Sequence, residues 1–126
     1  MMETRILTFQ NGVQVNLAVM NGNVAVIQTV MGGLFGGVDF GINDRNKLIK
    51  LARERLGAFG EIVGEMYCYT DENIGFTAYY TPVGNDVSNM RVSYRNRIVY
   101  DSVVNVPFSN LRGLQAEAQK VVMIVS

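Results

Sequence analysis

Two Asn-Gly dipeptides constrain the first part of this chain more than anything else in it. Asn11-Gly12 and Asn21-Gly22 bracket a run in which Val13, Val15, Leu17 and Val19 alternate with Gln14, Asn16, Ala18 and Met20. Such alternation is the period-2 signature of a strand with one buried face. Asn-Gly supplies the positive φ angles that tight hairpin turns require. The pattern predicts an antiparallel three-stranded meander over Arg5–Phe9, Val13–Met20 and Val24–Val30.

A glycine-rich run, Gly32 to Gly41, follows and is expected to break the sheet as a loop. It leads into the one long helical pattern, Asp44 to Leu56, which Asn43 or Asp44 is suited to cap. Leu48, Ile49, Leu51, Ala52 and Leu56 fall on one arc at 100° per residue, while Lys47, Lys50, Arg53 and Glu54 face away. Arg55 projects into the apolar arc, as an end-of-helix snorkel or as a paired cation. Gly57 is placed to stop the helix.

Beyond Gly60 the period returns to two. Val63, Glu65, Tyr67 and Tyr69 share one strand face, and Ile62, Met66 and Cys68 the other. Ile74, Phe76, Ala78 and Tyr80 alternate next, then Met90, Val92 and Tyr94, then Ile98–Tyr100 with pairing extended toward Val106. Pro107 ends the last of these. Ser109 is expected to cap a short helix to about Lys120, and Val121–Val125 to close the chain as an apolar strand. The order β3-α-β4-α-β is α+β. It predicts a single domain over residues 1–126, mainly antiparallel sheet packed on one main amphipathic helix.

The chain has 126 residues, 48% hydrophobic and only 17% charged, with zero net charge. That composition indicates a packed globule, and a surface this sparsely charged is expected in an oligomer. The charges are segregated. Five cations lie between Arg45 and Arg55, and five carboxylates without a cation between Glu61 and Asp86. A single cysteine, Cys68, rules out an internal disulfide and fits a reducing, cytoplasmic setting. No membrane association is expected.

With no histidine, imidazole-based nucleophilic catalysis and imidazole metal sites are excluded. Glu61 and Glu65 stand about 13 Å apart on a strand, too far to act as a pair on one bond. The chain is therefore expected to be non-catalytic, without cofactor or metal. Two binding surfaces are candidates. Gly36 and Gly37 with Arg45, at the start of the helix, form a potential anion site. Arg55 is a further candidate cation. Arg91, Arg95 and Arg97 with Tyr94 form the second surface, since Arg suits planar recognition of phosphate or bases. Tyr94, however, is expected on the face opposite Arg91 and Arg95.

The leading expectation is a binding protein for a phosphorylated, nucleotide-like small ligand, held at an interface of a homo-oligomer. The alternatives are a self-assembling structural subunit of viral or phage type and a single-stranded nucleic-acid binder.

Overall fold

The computed structural model describes residues 1–28 and 33–126. Among them are eight strands and two helices, and pairing is antiparallel within β1–β4 and within β5–β8. The expected α+β class, mainly antiparallel, is what the chain adopts. It divides into two compact units, Met2–Glu65 and Met66–Ser126, the latter including Met1.

In the first unit β1 (Met2–Phe9), β2 (Gln14–Met20) and β3 (Asn23–Gln28) form the meander that the Asn-Gly turns predict. Asn21, Gly12 and Gly22 hold the expected positive φ angles, 52°, 89° and 81°. Val30, expected in the third strand, lies outside the described residues. Leu7, Phe9, Val15, Leu17 and Val26 are fully buried and form one core with Leu48 and Ala52 of α1 (Arg45–Arg55) and with Leu56, which follows it.

The glycine run departs from expectation. Gly33–Gly37 is a strand, β4, paired antiparallel with β3. Strand pairing is made by main-chain groups, so glycine does not prevent it, although it weakens it. Gly36 takes φ +120°, and the register shifts between Val26 and Ile27. This is the bend that a glycine admits and other residues resist.

Helix α1 begins and ends where its pattern indicates. Asp44 stands at the N-cap, but its carboxylate accepts the Gly41 N–H (2.7 Å) and no helical N–H. Gly57 at φ +73° ends the helix, and the Ala58 N–H returns to the Ala52 carbonyl at 3.0 Å, satisfying a terminal acceptor. The chain then enters β5 (Ile62–Asp71), whose first residues belong to this unit. There Gly64 leaves room for Thr8, whose Cβ lies 3.5 Å from where a Gly64 side chain would start.

The second unit contains the rest of β5 with β6 (Phe76–Pro82), β7 (Ser88–Tyr94), β8 (Arg97–Val104) and α2 (Leu111–Val125). Phe76, Ala78 and Tyr80 of β6 and Met90, Val92 and Tyr94 of β7 are buried on one face, as the alternation predicts. Ile74 is the exception: it lies in the β5–β6 turn and is exposed. Helix α2 packs across β6, β7 and β8, and Asn110 caps it by accepting the Gly113 N–H at 3.0 Å. The Tyr80 hydroxyl donates to the Leu114 carbonyl at 2.6 Å, and the Gln115 amide donates to the Tyr67 hydroxyl at 2.7 Å. The Tyr67 and Tyr80 rings stack with centroids 5.5 Å apart.

Val121–Val125 is the last turn of α2, not a strand. Leu111, Leu114, Ala118 and Val122 form a buried stripe at helical spacing, and nothing between Leu114 and Val125 is a glycine or proline. Packing of Val122 carries the helix through residues whose intrinsic preference is for strand. The helical core contact is accordingly made by α1 in one unit and α2 in the other, where a single main helix was expected.

Candidate functional site

The two surfaces anticipated from sequence fare differently. Gly36 and Gly37 lie in β4, opposite Val26 and Ala25 of β3, with their backbone in a strand ladder. A shallow hollow of about 350 Å³ does mark the start of α1, lined by Asn43, Asp44, Arg45, Asn46 and Lys47. Arg45, however, is turned to Glu65. Its Nε donates to both carboxylate oxygens at 3.0 and 2.9 Å, and its Nη2 donates to Oε1 at 2.8 Å. The hydrogen bonds it donates to Glu65 hold the Arg45 guanidinium even more firmly in its charged form than usual, against partial desolvation. Arg55 is exposed in the last turn of α1.

At the second surface, Tyr94 is buried and faces α2's side of the sheet with Met90 and Val92. Arg95 and Asn96 form a two-residue turn with φ 53° and 63°. The Arg95 guanidinium rests 5.0 Å from the Tyr94 ring centroid, a cation–π contact. Arg97 is exposed at the first position of β8, opposite Tyr94.

Arg91 alone of this group stands on the face that α2 leaves uncovered. The pairing registers set one rung across four strands there: Cys68 opposite Tyr79, Tyr79 opposite Arg91, and Arg91 opposite Asp101. The Asp101 carboxylate accepts from Arg91 Nε at 3.2 Å and meets Nη2 at 3.1 Å. The next rung is Thr70, Thr77, Ser93 and Ile98, and Thr70 and Thr77 share a hydroxyl–hydroxyl hydrogen bond of 3.2 Å. A groove of about 660 Å³ runs over this face, with Met66, Tyr79, Thr81, Asn89, Arg91 and Ile98 on its walls.

Sequence reasoning picked out Arg91 and missed Tyr79. The signal was available, because Tyr79 has the opposite parity to Phe76, Ala78 and Tyr80 in an alternating strand. The groove offers an aromatic plane, a guanidinium, and hydroxyl and amide groups. Its lining contains no carboxylate or lysine, and Arg91 within it is paired with the Asp101 carboxylate. Among the described residues, no three cysteine or carboxylate side chains gather as metal ligands, and no helix is long and apolar enough to cross a membrane. Compared with protein-family models, curated proteins and solved structures, the chain shows no match.

Proposed function

We propose that this chain is a non-catalytic binding protein that holds a phosphorylated, nucleotide-like ligand on the open face of β5–β8. The observation that carries the reading is the juxtaposition of Tyr79, 40% exposed, and Arg91 as direct cross-strand neighbours inside the groove. A base stacks on an aromatic face, and a guanidinium makes paired hydrogen bonds to phosphate. The Arg91–Asp101 contact is solvent-exposed and joined through one carboxylate oxygen. Exposed pairs of this kind are worth less than about 1 kcal/mol, so the guanidinium re-partners at low cost. The neighbouring Thr81, Asn89 and Ser93 supply polar contacts for a sugar or base edge.

Thermal-shift measurement against a nucleotide panel tests this. Stabilisation is expected with at least one nucleotide and is expected to vanish in Arg91→Ala and Tyr79→Ala. A flat response to every nucleotide rejects the reading.

A second reading, a self-assembling subunit, is favoured by a separate observation. Met123, Ile124 and Val125 in the last turn of α2 are exposed at 76%, 79% and 44%. A contiguous apolar end of this kind is a recognised feature of subunit contacts. Light scattering across a dilution series separates the two, since assembly requires a defined multimer in the absence of any ligand.

A further inference from the structure

We propose that, in the Met2–Glu65 unit, α1 and the loop behind it form a contact surface for single-stranded nucleic acid, with Phe59 as the stacking residue. This goes beyond the groove on β5–β8 and uses none of its residues. Phe59 is 77% exposed, yet the backbone that carries it is held on every side. The Asn11 N–H donates to the Phe59 carbonyl at 3.3 Å and the Asn11 side-chain amide to the Gly57 carbonyl at 2.8 Å. The Gln10 N–H donates to the Glu61 carbonyl at 2.8 Å, and the Glu61 N–H to Gln10 Oε1 at 3.3 Å. Gly57 and Gly60, at φ +73° and +85°, make the reversal that throws Phe59 outward. A ring presented on a fixed backbone gives up little conformational freedom when something stacks on it.

Cations lead up to that ring. Lys47, Lys50 and Arg53 recur every three residues on the exposed side of α1, so they form one stripe. Arg53 joins the stripe to the loop: its Nη2 donates to the Gly60 carbonyl at 3.0 Å, and its guanidinium lies 5.8 Å from the Phe9 ring centroid. Two exposed carboxylates, Glu54 within the stripe and Glu61 after the loop, face the same region. Three cations against two carboxylates leave a positive surplus of one. A single strand offers what this surface lacks: a short run of phosphates and, next to it, an open base face. An anionic bilayer rewards a wider apolar face than one ring provides. An acidic peptide satisfies the cations without using the flat ring.

Fluorescence anisotropy of a labelled oligothymidylate with the full chain tests the proposal. Binding is expected at low salt, about 50 mM, with a log–log salt slope of about −2, because few phosphates are contacted. Phe59→Ala is expected to weaken it about tenfold or more. The double variant Lys47→Ala/Lys50→Ala is expected to weaken it and flatten the slope. Glu54→Gln/Glu61→Gln is expected to strengthen it. All three alter exposed side chains, and circular dichroism checks that each variant is folded. Absent binding at low salt, an unchanged affinity in Phe59→Ala, or equal competition by polyglutamate or anionic vesicles overturns the proposal.

Discussion

The guanidinium of Arg45 is clamped on Glu65 by three hydrogen bonds of 2.8 to 3.0 Å, and the Glu65 side chain is only 8% exposed. Arg45 ties the first turn of α1 to the start of β5. Its removal leaves a poorly hydrated carboxylate without its donors. Arg45→Ala is expected to cost about 1–3 kcal/mol in urea denaturation. Arg45→Lys is expected to recover only part of that, because an ammonium cannot supply the planar fork. Equal stability of the wild type and Arg45→Ala contradicts this account.

The Tyr80 hydroxyl gives a pH dependence with a definite sign. Burial, followed by the neighbouring Tyr67, Tyr69 and Glu117, pushes its ionisation well above the ordinary phenol value of 10.0. The unfolded phenol ionises near pH 10 while the folded one keeps its proton. The stability due to this group is therefore fully present below about pH 10 and falls as pH rises beyond it. Tyr80→Phe is expected to lose about 1 kcal/mol at neutral pH with the bond to Leu114, and to lose stability less steeply above pH 10. Parallel alkaline profiles for the two proteins count against it.

The β7–β8 turn holds two non-glycine residues, Arg95 and Asn96, in the left-handed region. Asn-Gly is the pair that favours such a turn. The double change Arg95→Asn/Asn96→Gly is expected to raise stability by about 0.5–1 kcal/mol, less whatever the Arg95–Tyr94 contact contributes. Thermal melting measures it, and a lowered midpoint shows that the cation–π contact outweighs the backbone strain.

The end of α2 separates folding from association. Met123 and Ile124 are exposed, so Met123→Ser/Ile124→Ser is expected to change monomer stability by less than about 0.5 kcal/mol. Val122 is 2% exposed, and Val122→Ser is expected to cost about 2 kcal/mol or more by opening a cavity and burying a hydroxyl. If Met123→Ser/Ile124→Ser dissociates a multimer seen by light scattering, the self-assembling reading gains the support it needs. If no multimer is present before the change, that reading fails.

The legible parts of this fold are those where side chains repeat a spacing. Asn11-Gly12 and Asn21-Gly22 announced their turns, and Leu48, Ala52 and Leu56 announced α1 from Asp44 to Gly57. β4 escaped because Gly33, Gly36 and Gly37 carry no side chain with which to show a period. The end of α2 escaped because Val121–Val125 is strand-forming by composition, while Val122 falls on a helical stripe begun at Leu111. At the candidate site, alternation in Phe76–Pro82 was enough to turn Tyr79 outward. That Tyr79 faces Arg91 depends on the register of β6 against β7, which the Val83–Val87 loop fixes through Val83 and Gly84 N–H bonds to the Val87 carbonyl, both 3.2 Å. Chain spacing alone does not encode that register.

In β4, three of the five residues are glycine. Ordinary strands are kept in step by what their side chains bury on each face, and sliding by one residue is punished because inside becomes outside. A strand with so few side chains has little inside or outside to confuse. Its place against β3 is marked instead by a dihedral angle, Gly36 at +120°, beside the shift between Val26 and Ile27. A one-carbon change at Gly36 therefore threatens the alignment of the whole ribbon there, even though nothing lies within 4 Å of the space that a methyl group would fill.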